Sequence, residues 1–476
     1  NGDADFTKFV SLGDSLTAGY ADGTLYLSGQ QNSFPNILAQ QFAKVGGGEF
    51  VQPLTNEDIG GLILNGLPIL DPVTNANLFD NRMVFDAEIE MPERLVGDST
   101  NEVLGSGLNG TAFNNMAVPA AKSFHLGAPT YGQAVAIGAT ANPYFVRFSS
   151  DLNNQNVTVI GDAIAQAPSF FTLWVGSNDV IWYGFAGGDN ATATDQTGIN
   201  FDPTTYGYND ITDPTVFANT YAQLVGGLKM INTAVQGVLI NVPDVTNIPY
   251  FTVVPYNPVP LDQATADILN DSYAAYNAGI AQALAANPDE VARRTITFTA
   301  GQNAVVILDE DLTDLTQPPY NLPLPSIRQT TVDDLIPFEQ APIIGTEDGS
   351  PLAVWGLSKP LEDKHVLIPS EIQAMQTASA AYNAAIQAVA DADENLVLYD
   401  AEAMFDALND NGGIDYGTGT VTADYVTGGF FSLDGIHPTA RGYAVIANGI
   451  INEINTGFNA NIPPVDPGSY TTIFVK

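Results

Sequence analysis

The sequence predicts an α/β fold of three layers, in which helices cover both faces of a central parallel sheet. Five short apolar runs recur along the chain, and helical stretches separate them. Each run is apolar enough to be buried on both faces and ends in turn or polar residues, which is typical of strands in a parallel sheet. The 476 residues, of which 45% are hydrophobic, are enough to build a core of this kind.

The predicted strands and helices alternate along the chain. The strands lie in FTKFVSLGDS near residue 10, GTAFNNMAV near 114, SFFTLWVGSND near 173, GVLINVPDV near 240 and NLVLYDA near 398. The helices lie in SFPNILAQQFAKV, DPTVFANTYAQLVGGLKMI, IPSEIQAMQTASAAYNAAIQAVADA and TARGYAVIANGIINEIN, which start at Ser33, Asp213, Ile368 and Thr439. Two starts carry a helix signal, since Pro214 follows Asp213 and a Pro-Ser pair precedes Glu371.

Three stretches, 51–110, 184–212 and 250–365, interrupt this alternation and are rich in Pro, Gly, Asn and Asp. We therefore predict a single domain over residues 1–476 that carries these stretches as long insertions. In the third insertion, PYFTVVPYNPVPL and QPPYNLPLPSIRQ are dense in Pro and aromatic residues, which predicts extended and stiff segments. We expect its aromatic residues to lie outside the main core, in a surface loop or in a wall over a substrate pocket; they are Tyr250, Phe251, Tyr256 and Tyr320.

The composition excludes several classes of partner and chemistry. Lys and Arg number 14 against 53 Asp and Glu, so the formal net charge is -39. Such a surface cannot neutralise phosphates and is repelled by anionic lipid headgroups, so we expect no nucleic acid and no membrane surface as partner. The sequence has no cysteine, which excludes disulfides, thiolate catalysis and Cys-based zinc sites. The Lys-poor, Asn- and Thr-rich composition and the start at Asn1 without Met predict an exported mature protein, which is extracellular, periplasmic or lipid-anchored.

A serine hydroxyl follows the first predicted strand, at Ser15. A hydroxyl is a poor nucleophile until a base takes its proton, and a histidine is a useful base when another group fixes its tautomer. Of the three histidines, His125 and His365 are predicted to be satisfied surface or loop residues. His437 has Asp434 three residues before it, a spacing that lets the carboxylate reach the imidazole within a turn. We predict a nucleophile, base and orienting acid at Ser15, His437 and Asp434.

Neutral hydrogen-bond donors for an oxyanion are predicted at two further strand ends. Asn178 follows the third strand, and Gly176 lets the backbone turn there. Ala120 is the backbone candidate after the second strand, because Pro119 has no N–H. Asp14 and Asp179 are predicted to be structural, as hydrogen-bonding groups for the two catalytic turns.

The chain resembles the SGNH hydrolases, also called GDSL lipases or acylhydrolases, in blocks that follow the family's order and span nearly the whole chain outside the insertions. The segment NVPDVTNIPY from Asn241 is also similar to the segment after the fourth strand in bacterial members. The matching blocks are GDSL at Gly13 to Leu16, GSND at Gly176 to Asp179 and DGIH at Asp434 to His437. The resemblance implies a flavodoxin-like sheet, an acyl-enzyme on Ser15, and oxyanion donors from Asn178 and the Ser15 backbone amide.

The second block departs from the family pattern. The family reads Asn-x-Gly-x-x-Gly, whereas this chain reads NMAVPA from Asn115 to Ala120, with Ala at both glycine positions. Alanine donates its N–H equally well, but its Cβ limits φ and crowds the pocket.

These observations lead to the expectation of a serine esterase or lipase that cleaves a small-molecule, glycan or lipid ester without a metal or organic cofactor. One alternative is an acyltransferase that uses the same acyl-enzyme, and a second is a non-catalytic glycan-binding or surface protein that retains the fold. The acidic run ILDEDLTDLT lacks the Gly and the spacing of an EF-hand loop, so no metal site is predicted there.

Overall fold

The structure is a computed structural model that describes residues 2–410 and 412–476. It has a three-layer α/β/α fold around a five-stranded parallel sheet, as the sequence predicts. The strands are β1 (Phe9–Gly13), β2 (Asn115–Ala117), β3 (Phe170–Trp174), β4 (Gln236–Ile240) and β5 (Leu396–Tyr399). Their order across the sheet is β2-β1-β3-β4-β5, which is the order of flavodoxin-like doubly wound folds.

The four predicted helices are present, and three of them follow a capping side chain. The side chains of Ser33, Asp213 and Thr439 each accept a hydrogen bond from a backbone N–H in the first turn of the helix that follows. The α-helices are α1 (Ser15–Ala18), α2 (Leu27–Gln31), α3 (Phe34–Ala43), α4 (Pro143–Val146), α5 (Val159–Ile164), α6 (Asn178–Phe185), α7 (Pro214–Leu228), α8 (Pro249–Thr252), α9 (Gln263–Ala283), α10 (Pro288–Arg294), α11 (Pro369–Asp391), α12 (Ala401–Asn409) and α13 (Ala440–Gly457).

The helices form a layer on each face of the sheet. Helices α3 and α13 pack against each other in one layer, while α5 and α11 both pack on α7 in the other. Every residue of β1 and β3 is buried, as both faces of these strands are covered. The main hydrophobic cluster therefore joins the sheet to both layers, and the carboxyl ends of β1, β2 and β3 lie side by side at one edge.

The insertion 250–365 contributes a second hydrophobic core, which our prediction of extended segments did not include. A cluster of buried residues runs from Val259 to Ile368 around helix α9. Antiparallel strand pairs complete it; they are Val259–Leu261 with Gly301–Asn303 and Val306–Leu308 with Ile327–Gln329. The side chain of Arg328 is buried there in ion pairs with Asp309 and Asp334.

Tyr250 and Phe251 are not outside the main core, so that expectation is wrong. Both belong to the main cluster, with Phe251 fully buried in α8 and Tyr250 only 5% exposed. The Phe251 ring stacks on Phe185 at a centroid distance of 6.0 Å. Tyr256 and Tyr320 are partly buried.

The other insertions are mostly irregular. Residues 51–110 contain two short antiparallel pairs, Ile63–Leu64 with Leu67–Pro68 and Met83–Asp86 with Met91–Arg94. Residues 184–212 contain the end of α6 and a 3-10 turn at Pro203–Thr205. A further short pair, Ile414–Asp415 with Thr420–Val421, lies before α13. In the part of the chain that the structure describes, no helix has the length and apolar character needed to cross a bilayer.

Candidate active site

Ser15 is the first residue of α1, directly beyond the end of β1. The turn needs glycine at position 13, because a Cβ on Gly13 would lie 2.4 Å from the Trp174 carbonyl oxygen. Asp14 caps the short helix by accepting a hydrogen bond from the Leu16 N–H at 3.0 Å. Ser15 is partly exposed while its neighbours on both sides are buried, so its hydroxyl is the accessible group of this turn.

The structure brings Ser15, His437 and Asp434 together in one hydrogen-bonded chain. His437 Nε2 lies 2.8 Å from Ser15 Oγ, and His437 Nδ1 lies 2.8 Å from Asp434 Oδ2. An ionised carboxylate accepts only, so Nδ1 carries the proton and Nε2 is free to accept the hydroxyl proton of Ser15. The imidazole also lies against the ring of Tyr20, with centroids 4.6 Å apart.

The Asp434 carboxylate is held ionised by its hydrogen bonds. Its Oδ1 accepts from the backbone N–H of His437 at 2.8 Å and of Ile436 at 2.9 Å, and its Oδ2 accepts from the Gly23 N–H at 3.0 Å. Burial alone would raise the pKa of Asp434, but the charge of His437 and these hydrogen bonds outweigh burial and lower the pKa to about 2. The carboxylate therefore stays negative next to the imidazole across the working range of a protein.

Asn178 opens α6 beyond the end of β3, which pairs with β1. Its side-chain oxygen accepts a hydrogen bond from Trp182 Nε1 at 2.9 Å. Its Nδ2 group donates to Asp14 Oδ2 at 3.2 Å and to the Ala121 carbonyl at 3.1 Å. The amide donor thus lies beside Asp14, the residue that precedes Ser15.

Ala120 adopts a left-handed backbone conformation, which glycine reaches more easily than any other residue. Its φ is +67°, in the left-handed region, which costs an L-residue about 1–2 kcal/mol. The segment is held against β1 by the Val118 N–H, which donates to the Gly13 carbonyl at 3.0 Å. The Ala120 carbonyl accepts from the Tyr208 hydroxyl at 2.9 Å, and its N–H has no acceptor among the described residues. Within the described residues, the Ala120 N–H is therefore a free backbone donor.

Asp14 and Asp179 make hydrogen bonds between the turns that follow β1, β2 and β3, which is the structural role we predicted. Asp179 accepts from the Ser123 N–H at 2.8 Å and from the Ser123 hydroxyl at 2.7 Å, which joins α6 to the segment after Ala120. Burial raises the pKa of Asp14 to about 7, against the opposing effects of the Leu16 N–H and of His437. Burial likewise raises the pKa of Asp179.

The other two histidines are outside the hydrogen-bonded chain. His125 Nδ1 accepts from the Lys122 N–H at 3.1 Å, and burial lowers the pKa of His125 to about 3. His365 Nδ1 accepts from the Glu362 N–H at 3.0 Å, as expected for a satisfied residue. Its side chain is buried, however, so a surface position is wrong for His365. Each imidazole therefore closes a local turn.

One group of carboxylates has the spacing of a cation site. Oxygen atoms of Glu310, Asp363 and Glu371 lie within 4.8 Å of one another, where the insertion 250–365 meets α11. Both oxygens of Glu371 already accept backbone N–H groups, from Asp189 and Ile368, and burial raises the pKa of Glu371 to about 9. Acidic groups at this spacing are common without an ion, so this group does not by itself define a metal centre.

The site contains two aromatic residues that the sequence analysis did not single out. Trp182 lies four residues after Asn178 on one helix, a spacing that puts the two side chains on the same face. The i, i+4 spacing from Asn178 is the feature of the sequence that could have indicated the contact with Trp182. Tyr208 reaches Ala120 from 88 residues away, and no local pattern indicates such a contact.

No protein-family model, no curated protein and no solved structure matches the chain. The chemistry of the site therefore follows from its own geometry. A hydroxyl hydrogen-bonded to an imidazole, which is oriented by a buried carboxylate, is an arrangement for nucleophilic catalysis by serine.

Proposed function

We propose that the protein is a serine carboxylic-ester hydrolase of the SGNH type. The observation that carries the proposal is the chain of two 2.8 Å contacts from Ser15 Oγ through the His437 ring to Asp434. Support also comes from the position of these groups at the carboxyl edge of a parallel sheet, where open α/β folds bind their ligands.

Ser15 Oγ attacks the ester carbonyl carbon while its proton passes to His437 Nε2. The C–O bond to the alcohol then breaks, and the imidazolium returns the proton to the leaving alkoxide, which leaves an acyl group on Ser15. Water repeats the sequence, with His437 as base, and releases the acid. Asp434 holds the ring in place and stabilises the imidazolium in both halves without taking the proton.

The negative oxygen of the tetrahedral intermediate needs donors that are already in place. Ser15 is the first residue of a helix, so its backbone N–H has no acceptor within that helix. The Ala120 N–H is free, and the Asn178 amide lies next to Asp14. For Asn178, donation to an oxyanion competes with the existing bond to the Asp14 carboxylate.

The net charge of the protein favours some substrate classes over others. A net charge of -39 disfavours anionic substrates and favours neutral or cationic esters, including acyl esters of small alcohols, glycans or lipids. Such substrates fit an exported enzyme, which is the location that the composition predicts.

Labelling with a fluorophosphonate, together with turnover of chromogenic esters from acetate to palmitate and of acetylated xylan, tests this proposal. We expect covalent labelling and hydrolysis of at least one ester class by the native protein, and neither by Ser15→Ala. Added glycerol or sugar acceptors identify any acyl transfer in the same assay. A native protein that takes no label and hydrolyses no ester would overturn the proposed function.

A further inference from the structure

Resting on the proposed function, we propose that Trp182 and Tyr208 are positioning residues that hold the Asn178 and Ala120 donors in their catalytic orientations. Neither residue belongs to the hydrogen-bonded chain of Ser15, and each reaches one donor through a single hydrogen bond.

The indole of Trp182 determines which way the Asn178 amide points. An indole N–H can only donate, so the atom of Asn178 that it meets at 2.9 Å must be the oxygen. The opposite end of the amide faces the Ala121 carbonyl, which can only accept. If the amide were flipped, its NH₂ group would face the Trp182 N–H, which is also a donor. Its oxygen would then face the Ala121 carbonyl, which is also an acceptor. Trp182 therefore keeps the Nδ2 group on the side of Asp14 and the nucleophile.

The hydroxyl of Tyr208 holds the residue that carries the second donor, Ala120. It donates to the Ala120 carbonyl at 2.9 Å and so supports a residue whose φ of +67° is unfavourable for alanine. Glycine would adopt this conformation without such support. Tyr208 thus compensates for the alanine that stands where the second family block has glycine, and it gives the insertion 184–212 a role at the site.

The two aromatic rings also contact each other. Trp182 and Tyr208 meet edge to face, with centroids 4.6 Å apart. Trp182 further contacts Phe185 at 5.2 Å, and Phe185 contacts Tyr250, whose N–H donates to the Gly435 carbonyl between Asp434 and His437. The rings therefore link three catalytic turns along one side of the site.

The two rings could also serve only to pack the fold. A double-mutant cycle separates this packing role from the positioning role that we propose. Trp182→Phe keeps a ring and removes the N–H donor. We expect it to lower kcat by roughly threefold to tenfold, the value of one neutral hydrogen bond, without a matching change in KM. Because Trp182 acts through Asn178, the same substitution in an Asn178→Ala background should leave kcat unchanged.

Tyr208→Phe provides an independent second arm. Tyr208 is 45% exposed, so loss of its hydroxyl should not unfold the protein. We expect a kcat loss of similar size that persists in the Asn178→Ala background, because Tyr208 acts through Ala120. The matched control is Tyr206→Phe, which removes a hydroxyl that donates to Asn200 at 2.6 Å in the same insertion and contacts neither donor.

Each outcome decides the inference. Equal kcat losses for Trp182→Phe in both backgrounds, or unchanged kcat in both Trp182→Phe and Tyr208→Phe, would overturn it while ester hydrolysis by the native protein stands. A loss in Tyr206→Phe as large as that in Tyr208→Phe would also overturn it, since the effect would then belong to the insertion as a whole. If Trp182→Phe fails to fold, the Tyr208 arm decides alone. An inactive native protein would remove the proposed function and this inference together.

Discussion

Replacement of Asp14 by Asn should change how the stability of the protein depends on pH. Asp14 is 1% exposed and has no cation in hydrogen-bond contact, so burial raises its pKa from 3.8 to about 7. A carboxyl whose pKa is raised on folding stabilises the fold below its unfolded value, and this stability is lost as the pH rises towards the folded value. The relevant window for Asp14 therefore runs from pH 4 to pH 7.

The size of the effect follows from the two pKa values. The difference between 3.8 and about 7, at about 1.4 kcal/mol per pKa unit, corresponds to about 4 kcal/mol of unfolding free energy. Asparagine has the same shape and does not titrate. It loses about 1 kcal/mol at every pH, because its NH₂ group faces either the Leu16 N–H or the Asn178 amide, which are both donors.

Urea unfolding at a series of pH values measures both contributions. We expect Asp14→Asn to be less stable than the native protein near pH 4 and more stable near pH 8, with a change in ΔΔG of about 3–4 kcal/mol between them. Asn178→Ala is the matched control, since it removes a partner of Asp14 and leaves the titrating group in place; its pH dependence should remain. A ΔΔG for Asp14→Asn that is constant with pH would refute the reasoning.

The remaining predictions concern the proposed triad and its oxyanion donor. Ser15→Ala should abolish ester turnover and fluorophosphonate labelling without lowering the melting temperature, and labelling of this variant would contradict the nucleophile. His437→Ala should lose as much activity as the double variant with Ser15→Ala, because members of a triad act as a unit; additive losses in kcat would mean that His437 is not the base. Asn178→Ala should lower kcat by roughly 10²–10³, whereas a change confined to KM would place Asn178 in substrate binding. The pKa of Asp434 is lowered from 3.8 to about 2, so its ionised form contributes about 2–3 kcal/mol of stability above pH 4, which is lost as the pH falls towards 2. Asp434→Asn should flatten this acid limb of the urea series, and an unaltered limb would disprove the assignment.

The sheet and most of the candidate site could be predicted because their signals are local. Each central strand is a short apolar run that ends in a polar turn, and Asp434 and His437 are three residues apart in one turn. Within the hydrogen-bonded chain of Ser15, His437 and Asp434, the pairing of His437 with Ser15 is the long-range contact, over 422 residues. Spacing alone did not single out His437, since Glu362 also lies three residues before His365, and the DGIH block made the difference.

Long-range contacts between insertions could not be predicted in the same way. The apolar residues of α9 recur at helical spacing, at Ala266, Leu269, Tyr273, Tyr276 and Ile280, but the Pro-rich segments on both sides favoured an extended interpretation. Tyr250 and Phe251 follow Pro249 in a helix of only four residues, which is too short to show a period. Their burial depends on Phe185 and Gly435, which come from distant parts of the chain.

The second hydrophobic core implies that the chain has two cooperative units. The cluster from Val259 to Ile368 buries its own apolar residues, so it can melt while the central sheet remains folded, and calorimetry should then resolve two transitions in place of one. Tryptophan emission distinguishes the units, because Trp174 lies in the sheet and Trp355 lies in the second cluster. Trp355→Phe therefore leaves a fluorescence signal from Trp174 and Trp182, which both belong to or pack on the main core.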